Sequence, residues 1–154
     1  VFRLAFHDSS FDQTSANGAL FDRLIAWRTG SPLVHVEFVM SEGNDKAATT
    51  YSSVPGAGVR YAQIDITQPW WKVVPLPPLK DGVSAAAARY LGQKYDWMGI
   101  IGFVAPFGEH DDNDKFCSEV CTDLLQAAGL FPFVKPWCVS PGDLFRMVSS
   151  LKTA

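Results

Sequence analysis

Val34-His35-Val36-Glu37-Phe38-Val39-Met40 is the stretch on which the fold turns. Val34, Val36, Phe38 and Met40 recur at every second position, so an extended chain gathers them on one apolar face. His35 and Glu37 then share the opposite face. Residues two apart on a strand lie about 6.8 Å from each other, a gap that a glutamate side chain can close to reach an imidazole. The strand thus predicts a histidine with an acid at its side.

A second stretch supplies the reactive group. Lys115-Phe116-Cys117-Ser118-Glu119-Val120-Cys121-Thr122-Asp123-Leu124-Leu125 has helical apolar spacing, with Cys117 at its start. The thiolate, not the thiol, attacks carbonyl carbon. An anion in the first turn of a helix is stabilised by the helix N-terminus and by a nearby imidazolium. A lone cysteine is otherwise a core residue, so it is the placement that makes Cys117 the candidate nucleophile and His35 its base. Cys121, one turn further on, reads as core because the helix-end field fades within a turn. Cys138, beside Trp137, reads as structural.

A papain-type pair needs a third group to orient the imidazole. Glu37 is the first choice, and Thr50 and Ser52 on the neighbouring Thr49-Thr50-Tyr51-Ser52-Ser53 run are the alternatives. A carboxylate stabilises an imidazolium as well as orienting it, whereas a hydroxyl only orients, so Glu37 is expected to matter more than Ser52. Tyr95 precedes the cysteine segment and is a candidate donor to an oxyanion. Tyr95 and Ser52 are the expected substrate contacts. The acidic run Glu109-His110-Asp111-Asp112-Asn113-Asp114 lacks the glycine and distal glutamate of a calcium loop and reads as a solvated loop. A metal hydrolase built on His35, Glu37 and His110 has no compact ligand motif behind it, so neither metal nor cofactor is expected.

Between these stretches the pattern is strands early and helices late. Phe2 to Phe6 reads as a strand. Asn17 caps a helix over Gly18 to Thr29 that Gly30 and Pro32 stop. Ala48 to Ser53, Gly58 to Ala62 and Trp71 to Leu76 read as a meander of short strands. Asp81 caps a helix from Val83 to Gln93, the cysteine helix runs to about Ala128, and Ser140-Pro141-Gly142-Asp143 opens a terminal helix through Met147. Strands grouped before helices imply α+β.

The 154 residues fit one domain, 1–154, with a real core, and 47% hydrophobic residues with eleven Phe and five Trp rule out a disordered chain. A net charge of −3 without a Lys/Arg cluster gives no footprint for nucleic acid. The longest apolar run, around Trp97 to Phe107, is broken by Gly99, Gly102 and Pro106 and is too short for a membrane span. Three cysteines without C-x-x-C spacing indicate neither a disulfide framework nor structural zinc. That cysteine usage, with no visible signal peptide, favours the cytoplasm.

Ser31-Pro32-Leu33-Val34-His35-Val36-Glu37, then Tyr51-Ser52-Ser53, Gly58-Val59-Arg60, Tyr95-Asp96 with Gly92 and Gly99, and Phe116-Cys117-Ser118-Glu119 together resemble the circularly permuted branch of the NlpC-like papain-fold hydrolases. The resemblance spans nearly the whole chain. It implies a permuted papain-like domain, an antiparallel sheet or small barrel packed on the nucleophile helix, with the histidine strand before the cysteine helix. It also implies Cys117 as nucleophile, His35 as base and a polar third member. Many relatives carry a clear acid or histidine on the strand after the base, where this chain has Thr50, Tyr51 and Ser52. The expected activity is cysteine-dependent cleavage of amide bonds in small peptides or peptidoglycan-like cell-wall peptide. Lipid acyl transfer or thioester hydrolysis on the same fold, or binding without turnover, are the alternatives.

Overall fold

The computed structural model of the chain describes residues 2–11, 16–41, 43–95 and 115–151, with side chains in the first helix from residue 22 onward. The expected segments Trp97 to Phe107 and Glu109 to Asp114, and with them Asp96 and His110, lie outside the described residues. Five strands, β1 (Arg3–Asp8), β2 (Leu33–Val39), β3 (Ala48–Val54), β4 (Gly58–Ile64) and β5 (Trp71–Pro75), form one open antiparallel sheet in the order β4-β3-β2-β1-β5. The α-helices among the described residues are α1 (Ala16–Thr29), α2 (Val83–Tyr90), α3 (Cys117–Ala127) and α4 (Pro141–Ser149). The chain is α+β, and its sheet has two edges, β4 and β5, rather than closing as a barrel.

The meander needs correcting. β3 and β4 form the expected hairpin about Pro55-Gly56, but β5 crosses to the far edge and pairs with β1. Leu4, Ala5 and Phe6 are all fully buried, so β1 needs neighbours on both sides and over both faces. β5 supplies one of them by setting Val73 opposite Ala5 and Trp71 opposite His7. Turn residues mark where a strand ends, whereas the match of apolar faces selects its neighbour.

One sheet face carries Leu4, Phe6, Val36, Phe38, Tyr51 and Val59, which pack with Val83 and Ala87 of α2, Val120 and Leu124 of α3, and Leu144 and Val148 of α4. The Tyr51 hydroxyl donates to the Ala87 carbonyl at 2.6 Å, so its polar end is satisfied inside this core. The other face holds a small cluster of Ala5, Val39, Ala48 and Ile66. β2 therefore has buried side chains on both faces, Glu37 among them, while His35 stays partly exposed.

Two helix starts differ from expectation. α1 begins at Ala16, ahead of Asn17. At α2 the N-cap is Gly82 at φ 134°, not Asp81, because a Cβ at 82 would meet the Ala127 carbonyl oxygen at the end of α3. This close approach selects glycine over a capping acid. α2 also ends at Tyr90, short of Gln93. α4 opens on the anticipated capping box: the Ser140 hydroxyl accepts from the Asp143 amide, and the Asp143 carboxylate accepts from the Ser140 amide. No helix among the described residues is long and apolar enough to cross a membrane.

Gly58 governs how the chain returns to the sheet after α2. It sits at φ 68°, and a Cβ there would collide with the Gln93 carbonyl oxygen. That approach lets Val59 donate to Gln93 at 2.8 Å and Gly92 donate to Val59 at 2.9 Å, while Lys115 donates to Lys94 at 2.9 Å. Residues 92–95 thus join the β4 edge to the start of α3. Gly58→Ala is expected to destabilise the fold by about 2 kcal/mol or more, since it combines positive-φ strain with a backbone clash. Urea unfolding of the variant would check this, and a loss within about 0.5 kcal/mol would refute it.

Candidate active site

α3 begins at Cys117 itself, with Phe116 as an extended N-cap whose side chain accepts no first-turn amide. Lys115 anchors this start. Its ammonium donates to Glu119 at 2.8 Å, lies 3.3 Å from Asp123 and sits 5.5 Å above the Tyr90 ring. Burial opposes the Lys115 charge, but Glu119 and Asp123 outweigh it and raise its pKa. The Ser118 hydroxyl ties the same turn to the Val139 carbonyl at 2.6 Å. Cys117 is thereby held on a rigid helix end, 5% exposed.

His35 brings the two distant stretches together. Its Nε2 lies 2.9 Å from Glu37 Oε1, which leaves Nδ1 for the thiol. Burial works against a charged His35 ring, but Cys117, acting as a nearby charge and as a hydrogen-bond partner, together with Glu37, holds its pKa up at about 10. Glu37 is 2% exposed, and burial alone would push its carboxyl to the neutral form. His35 and then Arg60 overcome that and bring its pKa down to about 2. The arrangement is a relay of four groups in a row, the Cys117 thiol, the His35 imidazole, the Glu37 carboxylate and the Arg60 guanidinium, with Glu37 buried at its centre.

Arg60 reaches Glu37 across a whole strand. Ser52 pairs with Arg60, and the β2–β3 register carried one step further sets Glu37 beside Ser52. Arg60 Nη2 lies 2.9 Å from Oε1 and Nη1 lies 3.2 Å from Oε2, a two-pronged contact. Ser52 takes no part in the relay. It is fully buried, it donates to the Val36 carbonyl at 2.6 Å, and it does not line the adjoining cleft. Thr50 is likewise fully buried, two residues along β3.

A cleft of about 340 Å³ opens over the His35 face of the sheet, lined by His7, Asp22, Ile25, His35, Glu37, Arg60, Trp71 and Tyr95 among others. His7 stands directly opposite His35 on β1. Trp71 follows on β5, its ring 5.3 Å from that of His7 and 6.4 Å from that of His35. Tyr95 packs with Phe116 at the helix start and with Ile25 of α1, and so forms a wall of the cleft beside the cysteine helix. Cys117 does not line the cleft directly, so His35 is the group that meets both the thiol and the open space.

The other cysteines lie apart from the relay. Cys121 is fully buried, its sulfur 4.0 Å from the Val36 carbonyl, and burial, followed by the charges of Cys117 and Glu37, raises its pKa well above that of an ordinary thiol. Cys138 is exposed. Compared with known protein families and with curated proteins, the chain finds no match. Arg60, His7, Trp71 and Lys115 are the site residues that pattern reading passed over. The signal for Arg60 was its register opposite Ser52, and for Lys115 its spacing of four and eight from two acids on one helix face.

Proposed function

We propose that the chain is a cysteine-dependent hydrolase with a permuted papain-like arrangement, cleaving amide bonds of small peptides or cell-wall peptide through an acyl-enzyme. The observation that carries the reading is the Cys117–His35–Glu37 array at the edge of the cleft, assembled from the start of a helix and one strand. In the forward step the Cys117 thiolate attacks the carbonyl carbon and the imidazolium gives its proton to the departing amine. In the second step His35 takes a proton from water, whose oxygen displaces the sulfur and releases the acid. The Cys117 backbone amide and Tyr95 are the donors proposed for the oxyanion. A lipid acyl ester or thioester is the second reading, supported by the apolar side of the cleft at Ile25, Ile64 and Trp71.

Selective alkylation tests the first step. With limiting iodoacetamide near neutral pH, peptide mapping should find Cys117 labelled ahead of the exposed Cys138, because a helix N-terminus and an adjacent imidazolium both favour a thiolate over a thiol. Cys121 should stay unlabelled. Preferential labelling of Cys138 would remove the basis for nucleophilic catalysis, and a panel of dipeptide amides against acyl thioesters would separate the two substrate classes.

A further inference from the structure

We propose that Arg60 is a positioning residue of this site. It aims the Glu37 carboxylate at His35 and supplies the permanent positive charge that lets a thiolate and an imidazolium persist beside a buried acid. The inference rests on the thiol-hydrolase reading above and assigns within it a part that neither the nucleophile nor the base can perform.

The argument begins with charge. A Cys117 thiolate, a His35 imidazolium and a Glu37 carboxylate sum to one net negative charge, in a place where Glu37 is 2% exposed. An uncompensated charge at such depth is costly, and the simplest escape is to keep a proton on the sulfur. Arg60 brings the sum to zero. Among the described residues, the other titratable groups around the cluster are His7 from β1, Asp22 from α1, Tyr95 from the segment after α2, and Cys121 one turn along α3. Among the described residues lining the cleft, Arg60 is the one Lys or Arg. Its guanidinium stays charged at any pH the protein meets, whereas His35 gives up its charge within each catalytic cycle.

Geometry adds the second half. Glu37 Oε1 is shared between His35 Nε2 and Arg60 Nη2, each at 2.9 Å, while Nη1 holds Oε2 at 3.2 Å. Two prongs fix the carboxylate plane, and that plane fixes the imidazole. The reach depends on Ser52: it is the residue on β3 between donor and acceptor, and its short side chain is turned into a hydrogen bond with the Val36 carbonyl. A long side chain at position 52 would stand in the path of the guanidinium.

The test is the pH profile of Cys117 alkylation by iodoacetamide, followed by mass measurement of the mapped peptide, in wild type, Arg60→Met and Arg60→Lys. Removing a positive charge raises nearby proton affinities, so the acidic limb of the profile should move up by about one pH unit in Arg60→Met. Labelling on that limb then falls about tenfold. Arg60→Lys keeps the charge and loses the fork. Its limb should stay near the wild-type position while its release of p-nitrophenolate from p-nitrophenyl acetate slows severalfold. A purely structural brace would lower the melting temperature of Arg60→Met and leave its profile superimposed on wild type, which would overturn the assignment. If Arg60→Met does not fold, Arg60→Lys decides, and a Lys variant identical to wild type in both measurements overturns it. Absence of preferential Cys117 labelling in the wild-type protein would fell the thiol reading itself, and this inference with it.

Discussion

Cys117→Ala is expected to abolish the burst of p-nitrophenolate that one equivalent of the protein releases from p-nitrophenyl acetate, a loss of about 10³-fold or more in the acylation rate. The size follows from the chemistry. Without the sulfur there is no nucleophile for His35 to serve, and the remaining donors can only polarise a carbonyl for water. The fold should survive. Cys117 is a small side chain at the start of α3, and that turn is held by Lys115 to Glu119 and by Ser118 to Val139 rather than by the thiol. Intact-mass measurement should show a single acetyl group on wild type and none on the variant. A persisting burst in Cys117→Ala, with the acetyl group on Cys138, would end the assignment.

The second large effect concerns stability. Glu37 has its carboxyl pKa lowered from 4.5 to about 2 in the folded chain. A depressed carboxyl contributes stability that is fully present above its unfolded value near 4.5 and is lost as the pH falls through about 2. The difference corresponds to about 3 kcal/mol. Glu37→Gln should therefore cost roughly 3 kcal/mol near neutral pH, since it strands Arg60 and His35 without their shared anion. The gap between variant and wild type should narrow progressively below about pH 4.5. Guanidinium unfolding at a series of pH values reads both quantities. A constant gap down to pH 2, or none at neutral pH, would show that Glu37 is not the ionised centre of the network.

The period-two pattern of β2 was enough to set His35 and Glu37 on one face, and it did so because alternation is a local property of an extended chain. The same pattern could not reveal that Glu37 on this face is interior. Glu37 is buried only because β3 and β4 lie alongside and Arg60 reaches over Ser52, an arrangement decided by two successive registers, β2 on β3 and β3 on β4, that bring together side chains 23 residues apart in the chain. Helix ends behaved the same way. Ser140 and Asp143 cap α4 through their own local bonds and were readable, whereas Asp81 lost the cap of α2 to Gly82 because of Ala127, a contact that no nearby residue announces. The position of β5 was hidden for a related reason, since the strand it joins is β1 and not its chain neighbour β4.

The insertion of β1 between β2 and β5 also bears on how the protein assembles during synthesis. Arg3 pairs with Val39 on one side and with Pro75 on the other, so β1 obtains its second partner only once synthesis has passed Pro75. Until then β1 presents an open row of amides and carbonyls beside the fully buried Leu4, Ala5 and Phe6, the kind of edge on which nascent chains associate with one another. Closure of the β1–β5 seam is a long-range event with a large entropic cost. The strand that closes this seam carries Trp71, so one pairing both finishes the described sheet and supplies the aromatic wall of the cleft.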